Sequence, residues 1–135
     1  MVALTVVDSN VWIFMNLEYA PEHKAAHSKI DERRKQGLHV NPIIVSEVFH
    51  KLSGLIGVEG AADRTRKILG SRFVVYEPLS LQIAEEALGI ASRHAVRIND
   101  AMIAAHALQT RESVMTDNVK DFKRVPGLNI IPIRG

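Results

Sequence analysis

Short β-branched apolar runs alternate with segments of helical periodicity along the whole chain, and each early run ends on a polar stop. Ala3-Leu4-Thr5-Val6-Val7 runs into Asp8-Ser9-Asn10, and Leu38-His39-Val40 into Asn41-Pro42. Phe73-Val74-Val75-Tyr76 and Ser113-Val114-Met115 follow, and a last strand is expected over Leu128–Ile133. A run apolar at consecutive positions is a strand buried on both faces, as in a parallel sheet covered by helices. This alternation predicts an α/β fold with a mainly parallel central sheet.

The intervening helices carry their own signals. The first is expected through Val11, Trp12 and Phe14, with Asp8, Ser9 or Asn10 as its cap. Pro21 at a first-turn position opens the second, with Glu22 in its first turn, Arg33, Arg34 and Lys35 in its last, and Gly37 closing it. A helix over Ile43–Leu55 has the stripe Ile44, Val48, Leu52, Leu55. Gly57 and Gly60 bracket a turn before a helix over Ala61–Leu69. Ser80 caps Leu81–His94, whose Ile83, Ala84, Ala87, Leu88 and Ala91 keep the 3.6-residue period, and Asn99 caps Asp100–Thr110. No linker or internal repeat divides residues 1–135, which read as a single domain.

Composition narrows the chemistry. The chain has 135 residues and no cysteine, so disulfides, thiolate metal sites and cysteine nucleophiles are excluded. Met1–Val7 is too short and lacks the basic flank of a signal peptide, and the reading is a cytoplasmic protein without a membrane span. Net charge is only +2, so charge alone does not mark a nucleic-acid binder. Its placement is more telling: Arg33-Arg34-Lys35, then Arg64, Arg66, Lys67 and Arg72, then Lys120, Lys123 and Arg124 form three clusters able to meet phosphate or to be solvated surface.

Four acids stand where an α/β sheet builds sites. Asp8 and Asp117 follow strands, Asp100 opens a helix, and Glu47 lies early in another. The carboxyl ends of strands and the starts of the following helices gather on one edge of such a sheet, where ligands bind. Carboxylates crowded there repel unless a cation offsets them, and oxygen-only donors suit hard Mg²⁺ or Mn²⁺. Ions so held activate water and stabilise charge on a transferring phosphate, which points to phosphodiester hydrolysis. Each acid also has a plain role as a helix cap, and Glu47 stands four residues before Lys51, the spacing of a surface ion pair. His50 and His106 read as non-catalytic, and Trp12 and Phe14 as core or dimer contacts. A phosphoacceptor receiver domain would need paired acids after the first strand, where only Asp8 stands.

The residues around the acids are more specific. Val6-Val7-Asp8-Ser9-Asn10-Val11 and Ile44-Val45-Ser46-Glu47-Val48 resemble the first two motifs of PIN-domain proteins. Ile98-Asn99-Asp100-Ala101-Met102-Ile103-Ala104-Ala105-His106-Ala107 is similar to the third. Thr116-Asp117-Asn118-Val119-Lys120-Asp121-Phe122, followed by Val125-Pro126-Gly127-Leu128, resembles the closing motif of the VapC toxin branch. The resemblance implies a PIN-like three-layer α/β/α fold. It also implies a Mg²⁺- or Mn²⁺-dependent endoribonuclease, the toxin of a toxin–antitoxin pair, with RNA as substrate, a protein antitoxin as partner and homodimers as its assembly. Asp8, Glu47 and Asp100 become the core metal-binding acids, with Asp117 or Asp121 as the outer one. Ser9, Asn10, Thr116 and Asn118 become residues that orient an acid or a water. A PIN-like module that binds RNA or protein without cutting is the alternative.

Overall fold

The computed structural model describes residues 4–134. Its five strands, β1 (Thr5–Val7), β2 (Leu38–Val40), β3 (Val74–Tyr76), β4 (Ser113–Thr116) and β5 (Ile130–Pro132), pair in the order β3-β2-β1-β4-β5, every neighbour parallel. Ala3, expected at the start of β1, lies outside the described residues. The expected α/β architecture with a mainly parallel sheet is thus present, the sheet being parallel throughout and flanked by seven helices among the described residues.

The sheet is central because its middle strands are apolar on both sides. Thr5, Val6 and Val7 are all fully buried. In β2, Leu38 lines a groove with Trp12, Ile30 and Ile68, whereas the next residue, His39, packs its ring at a tilt against His106 of a helix on the other side. That two-residue alternation puts helices on both faces. On the groove side stand α1 (Ser9–Met15), α2 (His23–Arg33) and α4 (Val58–Leu69). α3 (Pro42–Ile56) packs on α1 and α4, while α5 (Leu81–His94) packs on α6 (Ile98–Thr110), the helix that carries His106. A short α7 (Val119–Phe122) links β4 to β5 and buries Phe122 completely.

Several boundaries differ from expectation. Pro21 and Glu22 precede α2, with Glu22 at the cap position and no acid in the first turn, while Arg34 and Lys35 continue into a 3-10 turn, Arg34–Gln36. Gly37 follows at φ 104°, where a Cβ would run into Leu4. Asn41 caps α3 with Pro42 at its first position, so Asn41-Pro42 opens a helix as much as it closes a strand. Leu55 is exposed, leaving Ile44, Val48 and Leu52 as the buried stripe of α3. Gly60 lies inside α4 rather than in a turn, and α7 is an added element. Ser80 caps α5 as expected, accepting from Ile83 N at 3.2 Å.

The chain moves from β1 through β2 to β3 and then resumes on the far side of β1 with β4. This reversal puts the topological switch point between β1 and β4, and the crevice outside their carboxyl ends is the place for a ligand. Among the described residues no helix is long and apolar enough to cross a membrane.

Candidate metal centre at the carboxyl edge

Asp8 directly follows β1. The β1–β4 ladder continues past it, Asp8 N donating to Met115 O at 2.9 Å, which carries Thr116 to its side. Asp8 is the N-cap of α1, and its Oδ1 accepts from Ser9 N at 2.8 Å. Its Oδ2 accepts from Thr116 Oγ1 at 2.7 Å and from Asn10 Nδ2 at 3.2 Å. These donors favour the charged form, but the residue is only 3 % exposed. Burial prevails, and with the nearby charges of Asp100 and Glu47 it pushes the Asp8 carboxyl up from 3.8 to about 6.

Glu47 reaches the same crevice from α3. Its Oε1 accepts from Ser9 Oγ at 2.9 Å and its Oε2 from Asn99 Nδ2 at 3.3 Å, so it is engaged in the crevice rather than with Lys51. Asp100 stands in the first turn of α6, 5 % exposed, and its Oδ2 is buried without a hydrogen-bond partner. Desolvation raises its pKa, Arg97 opposes the rise, and the charges of Glu47 and Asp121 add to it. Asp121 accepts from Asn118 Nδ2 at 3.0 Å, and Asn118 N in turn donates to Thr116 Oγ1 at 2.9 Å. Thr116 thus joins Asp8 to the segment bearing Asp121.

Asp117 has a different environment. Its backbone N donates to Asn10 Oδ1 at 3.2 Å, but its carboxylate takes both arms of Arg134 at 2.9 and 2.7 Å. The structure therefore sets Asp100 where the charges of Asp8, Glu47 and Asp121 act on it or it on them, while the Asp117 carboxylate pairs with Arg134 at the rim. Ser9 and Asn10 do not cap α1; they hold Glu47 and Asp8. Asn99, read from sequence as a cap, is inside α6, since Arg97 occupies the cap position without a side-chain cap bond. Its amide restrains Glu47. The start of α6 at Ile98, had it been legible, would have freed Asn99 for this role. His50 is exposed on α3 and takes no part in these bonds.

The donor set fits a hard divalent cation. It is oxygen only, it includes a buried carboxylate oxygen with no partner, and its mutual repulsion calls for positive charge. Among the described residues no three acids converge into a ready ligand cage.

The PIN domain family model matches residues 5–128. The chain belongs to the PIN-domain family. It is 26% identical to "Ribonuclease VapC" of Rickettsia bellii over 95% of both chains. In structure it resembles VapBC2 of Rickettsia felis, bound to a promoter DNA fragment, at TM-score 0.78 and 16% identity over 96% of this chain and 98% of the other. It also resembles VapC20 of Mycobacterium tuberculosis, a sarcin–ricin loop cleaving toxin, at TM-score 0.75 and 16% identity over 86% and 92% of the two chains.

This PIN domain has a second concavity away from the acids, a groove of about 290 Å³ between α1, α2, α4 and β3. Trp12, Met15, Ile30, Ile68 and Phe73 give it an apolar lining. Arg34, Arg64 and Lys67, drawn from the first two basic clusters, stand around it. Arg34 and Arg72 both stack on Phe73, 5.1 and 5.0 Å from the ring centre. Trp12 donates from Nε1 to Val7 O at 3.2 Å and is core, with one edge in the groove.

Proposed function

We propose that this PIN-domain chain is a Mg²⁺- or Mn²⁺-dependent endoribonuclease and the toxin of a toxin–antitoxin pair. The observation that carries the reading is the unpartnered, buried Oδ2 of Asp100 set among Asp8, Glu47 and Asp121. The naming of its relatives as ribonucleases supports RNA as the substrate. Asp8, Glu47 and Asp100 are the core ligands, and Asp121 rather than Asp117 is the outer one, because Arg134 already satisfies Asp117. When bound, the ion supplies water activation and charge stabilisation at the phosphate.

The protein's own residues set up that chemistry. Thr116, Asn10 and the Ser9 amide aim the Asp8 carboxylate and favour its ionised form against the cost of burial. Ser9 and Asn99 hold the two oxygens of Glu47 from opposite partners, which fixes its rotamer. Arg97 is exposed beside Asp100 and makes no ion pair among the described residues, so it is free to meet an RNA phosphate at the mouth.

Solved relatives that form complexes with antitoxins support a protein antitoxin as partner, and the apolar groove with its basic rim is the seat we assign to it. We assign homodimer contacts to α5, where Leu81 and Leu88, seven residues apart on one helix face, are 76% and 60% exposed. The site of action is the cytoplasm. The test is incubation of the purified chain with a mixed cellular RNA pool in Mn²⁺ and in EDTA, beside Asp8→Asn. Cleavage that needs the ion and disappears in the variant supports the reading. Tight RNA binding without cleavage in Mn²⁺ makes the chain a non-catalytic module instead.

A further inference from the structure

A buried polar cluster outside the acidic crevice has no part in the chemistry above. His106 and Asn41 are fully buried, and His39 and Glu112 nearly so. His39 donates from Nδ1 to Glu112 at 2.8 Å, and its ring lies 5.1 Å from that of His106. Asn41 Oδ1 is occupied by Ile44 N at 3.0 Å, as the cap of α3, which leaves Asn41 Nδ2 as a donor. That donor lies 3.0 Å from His106 Nδ1. The contact is a hydrogen bond only if Nδ1 is bare, so His106 is the neutral tautomer with its proton on Nε2. Burial and the neighbouring His39 both lower the His106 pKa, outweighing Glu112 and Glu77, in keeping with a neutral ring.

The placement of this bond gives it a use. Asn41 is six residues before Glu47 on α3, and His106 is six residues after Asp100 on α6, about 9 Å along each helix. The other tie between these helices is Asn99 Nδ2 to Glu47 Oε2. One tie leaves a hinge; two, about 9 Å apart, fix the setting of one helix on the other. The buried apolar face of α6 is Ala101, Ala104, Ala105 and Ala107 with one larger side chain, Ile103, so it allows close approach and has a single apolar key to its rotation. Glu47 and Asp100 repel each other, which gives the tie a force to resist. His106 also keeps an unpartnered buried Nε2, a desolvation cost that an apolar residue would avoid.

We propose that His106 is a positioning residue: by accepting a hydrogen bond from Asn41 it holds the helix of Asp100 in fixed setting against the helix of Glu47, so that both acids face one cation. This rests on the metal-centre reading above. The probe is Mn²⁺ alone, titrated into the full chain. His106→Leu should weaken Mn²⁺ binding about tenfold, in the range seen when groups that orient ligands are removed. His106→Gln, whose carbonyl can accept from Asn41, should retain most of the affinity. Asn41→Ser, which keeps an oxygen for the helix cap, should lose as much as His106→Leu, and the double variant should be no worse than either. Equal losses in Leu and Gln, or additive losses in the double variant, overturn the proposal. Nitrogen NMR of the wild-type imidazoles is an independent check that needs no variant to fold: His106 must show a bare Nδ1 and a protonated Nε2, and a protonated Nδ1 overturns the tie. Wild-type protein that binds no Mn²⁺ refutes the metal-centre reading instead, and the NMR result still decides the tie.

Discussion

Removing the charge of Asp8 should stabilise the cation-free protein. The carboxyl is raised from 3.8 to about 6, so the folded chain holds that proton more tightly than the unfolded chain does. Stability from this group is therefore greatest below pH 4, falls as pH rises towards 6, and stays reduced above it. The full penalty at neutral pH is about 3 kcal/mol. Asp8→Asn removes it but turns an amide Nδ2 towards Asn10 Nδ2, which donated to the carboxylate, at a cost of about 1–2 kcal/mol. The net gain of about 1–2 kcal/mol corresponds to a melting temperature roughly 5 °C higher for a chain of this size. Thermal melts in EDTA should show that gain at pH 7.5 and none at pH 4. With Mn²⁺ at a hundred times its dissociation constant the wild type alone gains about 2.7 kcal/mol, and the order reverses. A variant that melts lower than wild type by the same amount at both pH values, in EDTA, refutes the argument that burial of the charge is the dominant strain at Asp8.

Other substitutions separate the roles assigned above. Asp121→Asn should weaken Mn²⁺ binding by about tenfold or more, while Asp117→Asn, which loses only its Arg134 partner at the rim, should change it less than about threefold. Asp100→Asn should lower the cleavage rate by about a hundredfold or more with no loss in melting temperature, since its burial already disfavours the charge. Gly37→Ala should cost about 1–3 kcal/mol in chemical denaturation, because φ is 104° and the added methyl meets Leu4. Phe122→Ala should cost about 3–5 kcal/mol in the same assay, because the ring is fully buried and anchors the segment that presents Asp121.

The parts of the fold legible in sequence were those whose signal is local. β1, β2 and β4 are buried on both faces, so β-branched and apolar residues run consecutively there, and the polar stops after them mark the carboxyl edge. Asp8, Glu47 and Asp100 were legible as candidates for the same reason, since Asp8 follows such a strand, Asp100 lies in the first turn of a helix and Glu47 lies early in another. Gly57 and Gly60 misplaced the start of α4 because glycine is the usual mark of a turn; Gly57, at φ 88°, does end α3, but Gly60 is helical. α7 has four residues, too few to show a period.

The proposed preference for Asp121 over Asp117 was closed to sequence because it rests on Arg134, seventeen residues from Asp117 and brought beside it only when β5 joins β4. His39 carried no signal either. One histidine in a three-residue strand looks like an exposed position, and only the arrival of Glu112, from the far end of α6, makes it a buried pair.

The proposed function makes RNA cleavage depend on a cation held by Asp8, Glu47, Asp100 and Asp121. Mn²⁺ occupancy and the rate of RNA cleavage measured in the same samples, across a Mn²⁺ titration of wild type and Asp100→Asn, test it most directly. The rate should rise in step with occupancy in the wild type, and both should fall sharply in the variant. Cleavage that persists at zero occupancy, or an Asp100→Asn protein that binds and cuts as the wild type does, would contradict it.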